Sequence, residues 1–300
     1  MDFLFLPLDI MRLPVWEALM DDWMFAASLV LLSAELIRHA VRGELNWRLV
    51  GDVAVSYGCL AVFVVTFVVA TLVFPDVQDA VSNHALFEIP TTWLTAAVCL
   101  VLADLTYYAE HRFSHRVNAA WATHSVHHSS PNFNMSVASR FGIMDGFWPV
   151  IFHLPLVLIG FDPVLVLFTA AVVLAYQTPL HTELVGRLPR WIEAVFNTPS
   201  HHRVHHGSNG TYLDRHYGGI LIVWDRLFGT FAEETEPVIY GLVEPIDSNS
   251  PLTVLFHGFV RLGRKMATAP GPRTALRYLV APPEWQARRV PPGEATVRSD

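Results

Sequence analysis

Neutral imidazole is the most common metal-binding side chain in proteins, and this sequence concentrates it in two regions. His111, His115, His124, His127 and His128 form the first, and His201-His202-Arg203-Val204-His205-His206 forms the second. Residues three or four apart share a helical face, so His111 with His115, His124 with His127 and His128, and His202 with His205 and His206 each make a patch of rings pointing one way. Eight imidazoles in three patches are more than one ion can use, and a dinuclear metal site is the simplest account. The tracts are interleaved with Phe113, Trp121 and Val204, unlike the polar repeats of low-complexity metal scavengers. His39, His84 and His257 have no partner at helical spacing and read as surface or hydrogen-bonded residues.

The elements that must carry these rings are membrane helices. Of the 300 residues, 52% are hydrophobic and only 16% charged, and segment length decides for a membrane protein over a greasy soluble domain. Residues 53–74 carry no charge and are long enough to cross a hydrocarbon core of about 30 Å. Trp23–Ile37 reads as a first span with Glu35 near its end. Residues 89–108 read as a third, with Tyr107 and Tyr108 where an interfacial aromatic belt would lie and His111 within the next turn. Two apolar runs, 147–159 and 163–180, flank Gly160-Phe161-Asp162-Pro163 and suggest a helical hairpin. Its first arm is short and broken by Pro149 and Pro155.

Loop charges orient these spans. Arg38, Arg42 and Arg48 follow the first span, and Arg112, Arg116, Arg140, Arg187, Arg190 and Arg203 accompany the histidines. The loop after the second span has Asp76, Asp79 and Glu88 but neither Lys nor Arg. By the positive-inside rule the histidines and the chain after about residue 181 face the cytoplasm, with the N-terminus outside. No basic region precedes an apolar run at the N-terminus, so no cleaved signal peptide is expected. Cys59 and Cys99 read as packing residues, and no basic, aromatic-studded stripe points to nucleic acid.

The expected fold is therefore all-α: an integral membrane bundle of about three spans plus a hairpin, with a cytoplasmic helical cap carrying a dinuclear metal site. Residues 1–110 supply the N-terminal transmembrane helices and 111–262 the histidine-bearing region, including the hairpin at 147–180. Thr198 or Ser200 is placed to cap the helix that carries His202, His205 and His206. The apolar run from Tyr217 to Phe231 is placed to lie on the membrane face or close the site. Residues 263–300 read as a Pro- and Arg-rich cytoplasmic tail, loosely ordered from Ala267 onward, with Arg273, Arg277, Arg288, Arg289 and Arg298 near anionic lipid.

The pattern His111-x-x-x-His115, His124-x-x-His127-His128 and His202-x-x-His205-His206 resembles the fatty acid hydroxylase and sterol desaturase superfamily of membrane di-iron enzymes. The resemblance covers about residues 89–245 and includes Asp104-Leu-Thr-Tyr-Tyr, Asn197-Thr-Pro-Ser-His-His-Arg-Val-His-His and Ile222-Val-Trp-Asp-Arg-Leu-Phe-Gly-Thr-Phe. Asn197 to His206 and the later Tyr240-Gly-Leu are most similar to its alkylglycerol monooxygenase branch. The resemblance adds His181 to the ligands, in the context Gln177-x-x-x-His181-Thr182-Glu183, and implies nine: His111, His115, His124, His127, His128, His181, His202, His205 and His206. His201 falls outside the pattern. Asp104, Gln177, Asn197 and Asp225 are candidates to brace the ligating rings, since a metal-bound imidazole needs an acceptor for its other N–H. The chain departs from that branch at Arg116, where an acidic residue is usual, and at Asp214-Arg-His216-Tyr217-Gly218, where Asp-x-Asn-Tyr-Gly is usual. These departures bear on the branch's ether-lipid substrate and pterin reductant and leave the nine histidines intact.

The implied cofactor is a pair of iron ions with O2 as co-substrate, and no catalytic residue is expected beyond the ligands. Zinc takes four ligands and has no redox chemistry, whereas two imidazole-bound irons can activate O2 toward a C–H bond. The reaction expected is hydroxylation of a lipid drawn from the bilayer; the alternatives are desaturation of a lipid at the same site or a membrane metal carrier. A carrier would need polar residues through its spans, which residues 53–74 lack. No dinucleotide fingerprint or haem-attachment motif is visible, so a separate reductase or ferredoxin-like donor is expected on the cytoplasmic face.

Overall fold

The structure, a computed structural model, describes residues 2–287. The described residues form helices and no β-strand: α1 Leu13–Val41, α2 Trp47–Ser82, α3 Trp93–Arg116, α4 Asn118–His124, α5 Trp148–Ile159, α6 Pro163–Gln177, α7 Arg190–Glu193, α8 Pro199–His205, α9 Val223–Phe228, α10 Pro251–Ala267 and α11 Pro272–Val280. Among the described residues, three segments are long and apolar enough to cross a membrane: Ile10–Val41, Trp47–Ala70 and Pro163–Leu180. The first contains the expected span Trp23–Ile37, the second overlaps the expected 53–74 but begins and ends earlier, and the third is the second arm of the hairpin. The first arm, α5, is only 12 residues long and carries Pro155.

The segment expected as a third span is helical but falls outside that set. Instead of ending near residue 108, α3 runs on to Arg116 through Glu110, His111, Arg112 and His115, and it buries Asp104, Tyr108, Glu110, His111, Ser114 and His115. It packs on both α5 and α6, which also touch each other, and α1 packs on α6. The main apolar core lies here, with Cys99, Ala103, Leu156, Val157, Leu165, Val166 and Val173 fully enclosed. The hairpin closes at Gly160, whose φ of 124° requires glycine and whose missing side chain admits the Phe87 carbonyl. Asp162 then caps α6 by accepting from the Val164 and Leu165 amides.

Two buried carboxylates tie the first two helices to the loop that follows the first histidine group. Glu35 of α1 accepts from the Met135 amide at 2.8 Å and the Thr182 hydroxyl at 2.5 Å. Asp52 of α2 pairs with Arg140 at 2.7 Å and accepts from the Ser130 hydroxyl and the Asn132 side-chain Nδ2. Arg140 also donates to the Ser129 hydroxyl at 2.9 Å, one residue past His128. Both carboxylates and the guanidinium are buried.

The stretch expected to be loose from Ala267 onward contains α11. Its Tyr278 is buried with Ala122 of α4 and Leu262 of α10, because apolar residues recur along one face of an otherwise basic helix. Arg288, Arg289 and Arg298 lie outside the described residues. Removing one partner of a buried ion pair strands the other charge and costs about 3–5 kcal/mol. Arg140→Met is therefore expected to lower the unfolding free energy of the detergent-solubilised protein by that amount, and a loss below about 1 kcal/mol in a denaturant titration would contradict the clamp.

Candidate metal centre

Each histidine is delivered by a short helix or its end. His111 and His115 stand one turn apart at the end of α3. Val117 adopts an extended conformation (φ −117°, ψ 116°) that stops α3 and starts α4 at once, so His124 folds back onto the face it has just left. A 3-10 turn over His127–Ser129 supplies the next two rings. α8 starts at Pro199, a residue suited to the first helical turn, with Thr198 at its N-cap position; no side chain caps it, and the Thr198 hydroxyl instead donates to Glu193. His181 follows the 3-10 turn that extends α6.

The rings converge in two groups: His111, His115, His124, His128 and His205 in one, and His127, His181, His202 and His206 in the other, with the ligand atoms of each within 4.8 Å of one another. Each of the nine histidines expected as ligands lies in one group or the other, and His201 belongs to neither; it packs on His216 and Phe231. The doubled histidines are divided. His127 and His128 point to different groups, as do His205 and His206, and the His128 and His206 rings stack across the boundary at 4.4 Å. Two adjacent sites with a common wall result.

The geometry fits metal ions. Nε2 atoms face each other at 3.2 Å for His111 and His124, 3.2 Å for His127 and His181, and 2.9 Å for His181 and His202. Two nitrogens each bound at about 2.1 Å and at right angles to one metal lie about 3.0 Å apart. The Nε2 atoms of His115, His128, His205 and His206 are buried with no hydrogen-bond partner, an arrangement a protein interior otherwise avoids. Burial, reinforced by neighbouring histidines, holds the His111, His115, His124, His127, His128, His202 and His206 pKa values well below the ordinary range, and burial brings His181 and His205 down to about 4. The rings are therefore neutral at physiological pH and free to donate lone pairs.

What braces the rings differs from expectation. Backbone carbonyls accept from the other ring nitrogens: Tyr217 O from His111 Nδ1 at 3.1 Å, Arg215 O from His205 Nδ1 at 3.1 Å, and Gln177 O and Thr178 O from His181 Nδ1. This fixes the tautomer that turns Nε2 inward. The side chains expected in that role act one step further out. Asp225 accepts from the Tyr217 and Gly218 amides, and Asn197 donates to the Gly218 and Gly219 carbonyls. Asp104 accepts from the Ile220 and Leu221 amides and from the Trp224 indole. Together they hold the 215–221 loop whose carbonyls face the rings. The Gln177 side chain donates to Val173 O; only its carbonyl meets His181.

Sequence reasoning missed Glu35, Asp52, Arg140, Thr182 and His216. Acidic residues within apolar helices are costly and mark sites, and that signal was present at Glu35 and Asp52. No local signal distinguishes His216, which sits at φ 58°, donates from Nδ1 to His201 O and accepts from the Ala232 amide. Arg116 pairs with Asp214 and Glu284.

Folding carries a pH dependence. In the unfolded chain the imidazoles take up protons near 6.5, and in the folded core only well below it, His181 and His205 near about 4. The unfolded state thus binds more protons in that window, and the stability from these groups, complete above pH 6.5, is lost as pH falls toward 4. The thermal midpoint of metal-free protein is expected to hold above pH 6.5 and drop steadily below it; a flat midpoint from pH 7 to 4 would refute the buried neutral cluster.

Comparison with known proteins places this centre. Residues 96–230 match the profile of the fatty acid hydroxylase family. Alkylglycerol monooxygenase of Homo sapiens is 38% identical over 207 residues, which cover 68% of this chain and 45% of the relative. The enzyme of the same name from Danio rerio is 40% identical over 208 residues, with the same shares. Ornithine lipid hydroxylase OlsE of Rhizobium tropici is 29% identical over 194 residues, 63% of this chain and 58% of the relative. The chain thus spans less than half the length of the alkylglycerol monooxygenases it matches, and no solved structure matches it. The matched segment contains all nine converging histidines, and through it the chain belongs to the fatty acid hydroxylase family.

Proposed function

We propose that this protein is a membrane di-iron oxygenase that hydroxylates a C–H bond of a lipid, using O2 and electrons from a separate donor. The observation that carries this reading is the pair of adjoining groups, five and four buried neutral imidazoles. Five nitrogens exceed the tetrahedral set of zinc, and nine neutral donors with no carboxylate suit redox-active transition metals over calcium or magnesium. Bound there, a pair of irons supplies the activation of O2 and the removal of hydrogen from an unactivated C–H bond, with oxygen returned to the carbon.

The chain's own contributions are holding, orienting and excluding water. His111, His115, His124, His128 and His205 hold one ion, and His127, His181, His202 and His206 the other. The 215–221 loop keeps Nε2 of His111 and His205 aimed inward. Beside His111 and His124 a cavity of about 40 Å³ is lined by Tyr107, Glu110, Ser114, Asp145 and Trp148, room for a small molecule or one end of a chain against the first group. Burial pushes the Asp145 carboxyl up to about 6. The relatives' names, a monooxygenase of alkylglycerols and a hydroxylase of ornithine lipids, support a lipid as substrate. Apolar residues on the outer faces of α2 and α5, including Val64, Phe67 and Ile151, suit its approach from the bilayer. The arginines that follow the first span and flank the histidines favour a cytoplasmic centre, where the electron donor docks.

Purified protein is expected to hold about two irons per chain, and His202→Ala, which removes one donor from the group of four, to hold about one with unchanged helical circular dichroism. With reductant and labelled O2 the product lipid gains one labelled oxygen atom. Loss of two hydrogens instead would make the enzyme a desaturase, and turnover without O2 would overturn the reading.

A further inference from the structure

α10 lies outside the metal centre and has two unlike halves. In its first half Val254 and Leu255 pack on Val55 and Cys59 of α2, and Pro251 sits against Gly58, where an added side chain would come within 3.3 Å of it. That half is therefore level with a helix read as crossing the membrane. Its outer face nevertheless shows Leu252, Phe256 and Val260, which recur every four residues on one stripe and are 67%, 45% and 48% exposed. The second half packs on α4 and α11 through Leu262 and carries Arg261, Arg264 and Lys265. An apolar stripe followed by a basic end is the pattern of a helix that passes from the acyl layer to the headgroup layer.

A groove of about 420 Å³ runs between this helix and residues 245–248. Phe256, Val260 and Ile246 line it, Arg261 and Arg264 stand at one end, and Asp247 contributes an acidic group. Arg261 donates to the Glu244 carbonyl at 2.6 Å and lies 3.6 Å from its carboxylate, which is 80% exposed; a pair so open is screened and leaves the guanidinium available. Arg264 makes no ion pair among the described residues.

We propose that this groove holds an anionic phospholipid of the surrounding bilayer, its phosphate between Arg261 and Arg264 and an acyl chain along Phe256 and Val260. Charge complementarity and position both select this occupant. A phosphate with no ammonium of its own answers two guanidinium groups, and an apolar wall level with α2 is reached from the lipid, not by a soluble partner. The bound lipid would brace α10 against α4, the helix that carries His124.

The test uses the full chain, delipidated in a neutral detergent and titrated separately with dioleoyl phosphatidylglycerol, dioleoyl phosphatidylcholine and inorganic phosphate. Bound lipid is counted by native mass spectrometry and the thermal midpoint followed in parallel. Phosphatidylglycerol is expected to bind at least about tenfold more tightly than phosphatidylcholine and to raise the midpoint. Arg264→Gln, which breaks no ion pair, is expected to reduce its binding to the phosphatidylcholine level with metal content unchanged, and Phe256→Ser to weaken both lipids. Equal binding of the two lipids, undiminished phosphatidylglycerol binding in Arg264→Gln, or a full midpoint shift from inorganic phosphate alone would each overturn the assignment.

Discussion

Imidazole lone pairs aimed at one another in a dry interior are a liability that hydrogen bonding among themselves cannot discharge. An unpaired buried acceptor costs free energy, and here Nε2 of His115, His128, His205 and His206 is buried without a hydrogen-bond partner while other Nε2 atoms face each other about 3 Å apart. A cation that accepts many nitrogens at once resolves the conflict, and much of the surrounding structure makes sense as the apparatus that keeps the rings in this arrangement. The interior must be dry for the rings to be neutral. It must be rigid for them to remain aimed inward.

Rigidity comes from the backbone more than from side chains that touch the rings. Carbonyls of Gln177, Arg215 and Tyr217 meet the outer ring nitrogens, and carboxylates hold the backbone that presents them. Asp225 and Asp104 bind successive amides of one loop, while Glu35 and Asp52 reach from apolar helices to the segments around His181 and His128. A carbonyl held on two sides is a firmer acceptor than a lone flexible carboxylate. The membrane helices thus help to hold the histidine groups, through two acidic residues placed where acidic residues are costly.

The same arrangement sets what the centre can do. The two groups of imidazoles adjoin each other, and a cavity beside His111 and His124 adjoins one group only. A molecule in that cavity would meet the imidazoles from one side only, and one-sided access is what fixes the orientation of a bound molecule. The family match runs from α3 through α9 and contains every converging histidine, whereas α10 and its basic groove lie beyond it.

The histidines, their spacing and the apolar segments were legible in the sequence because each is a local periodicity: i, i+3 and i, i+4 define a helical face, and an uninterrupted apolar run defines a span. Local periodicity carries no information about which of two neighbouring rings turns toward which group. His127 and His128 part company, as do His205 and His206, because the rings of His181, His111 and His115 already occupy opposite sides. Nor does it show that α3 continues through the ligands, that Glu35 is an anchor, or that residues 272–280 form a packed helix, since each depends on what lies opposite in space. The residue types and spacing alone determined that this chain would gather imidazoles at the ends of apolar helices. Only the tertiary structure decided how they are shared between two sites, because that division is made by contacts between residues far apart in the chain.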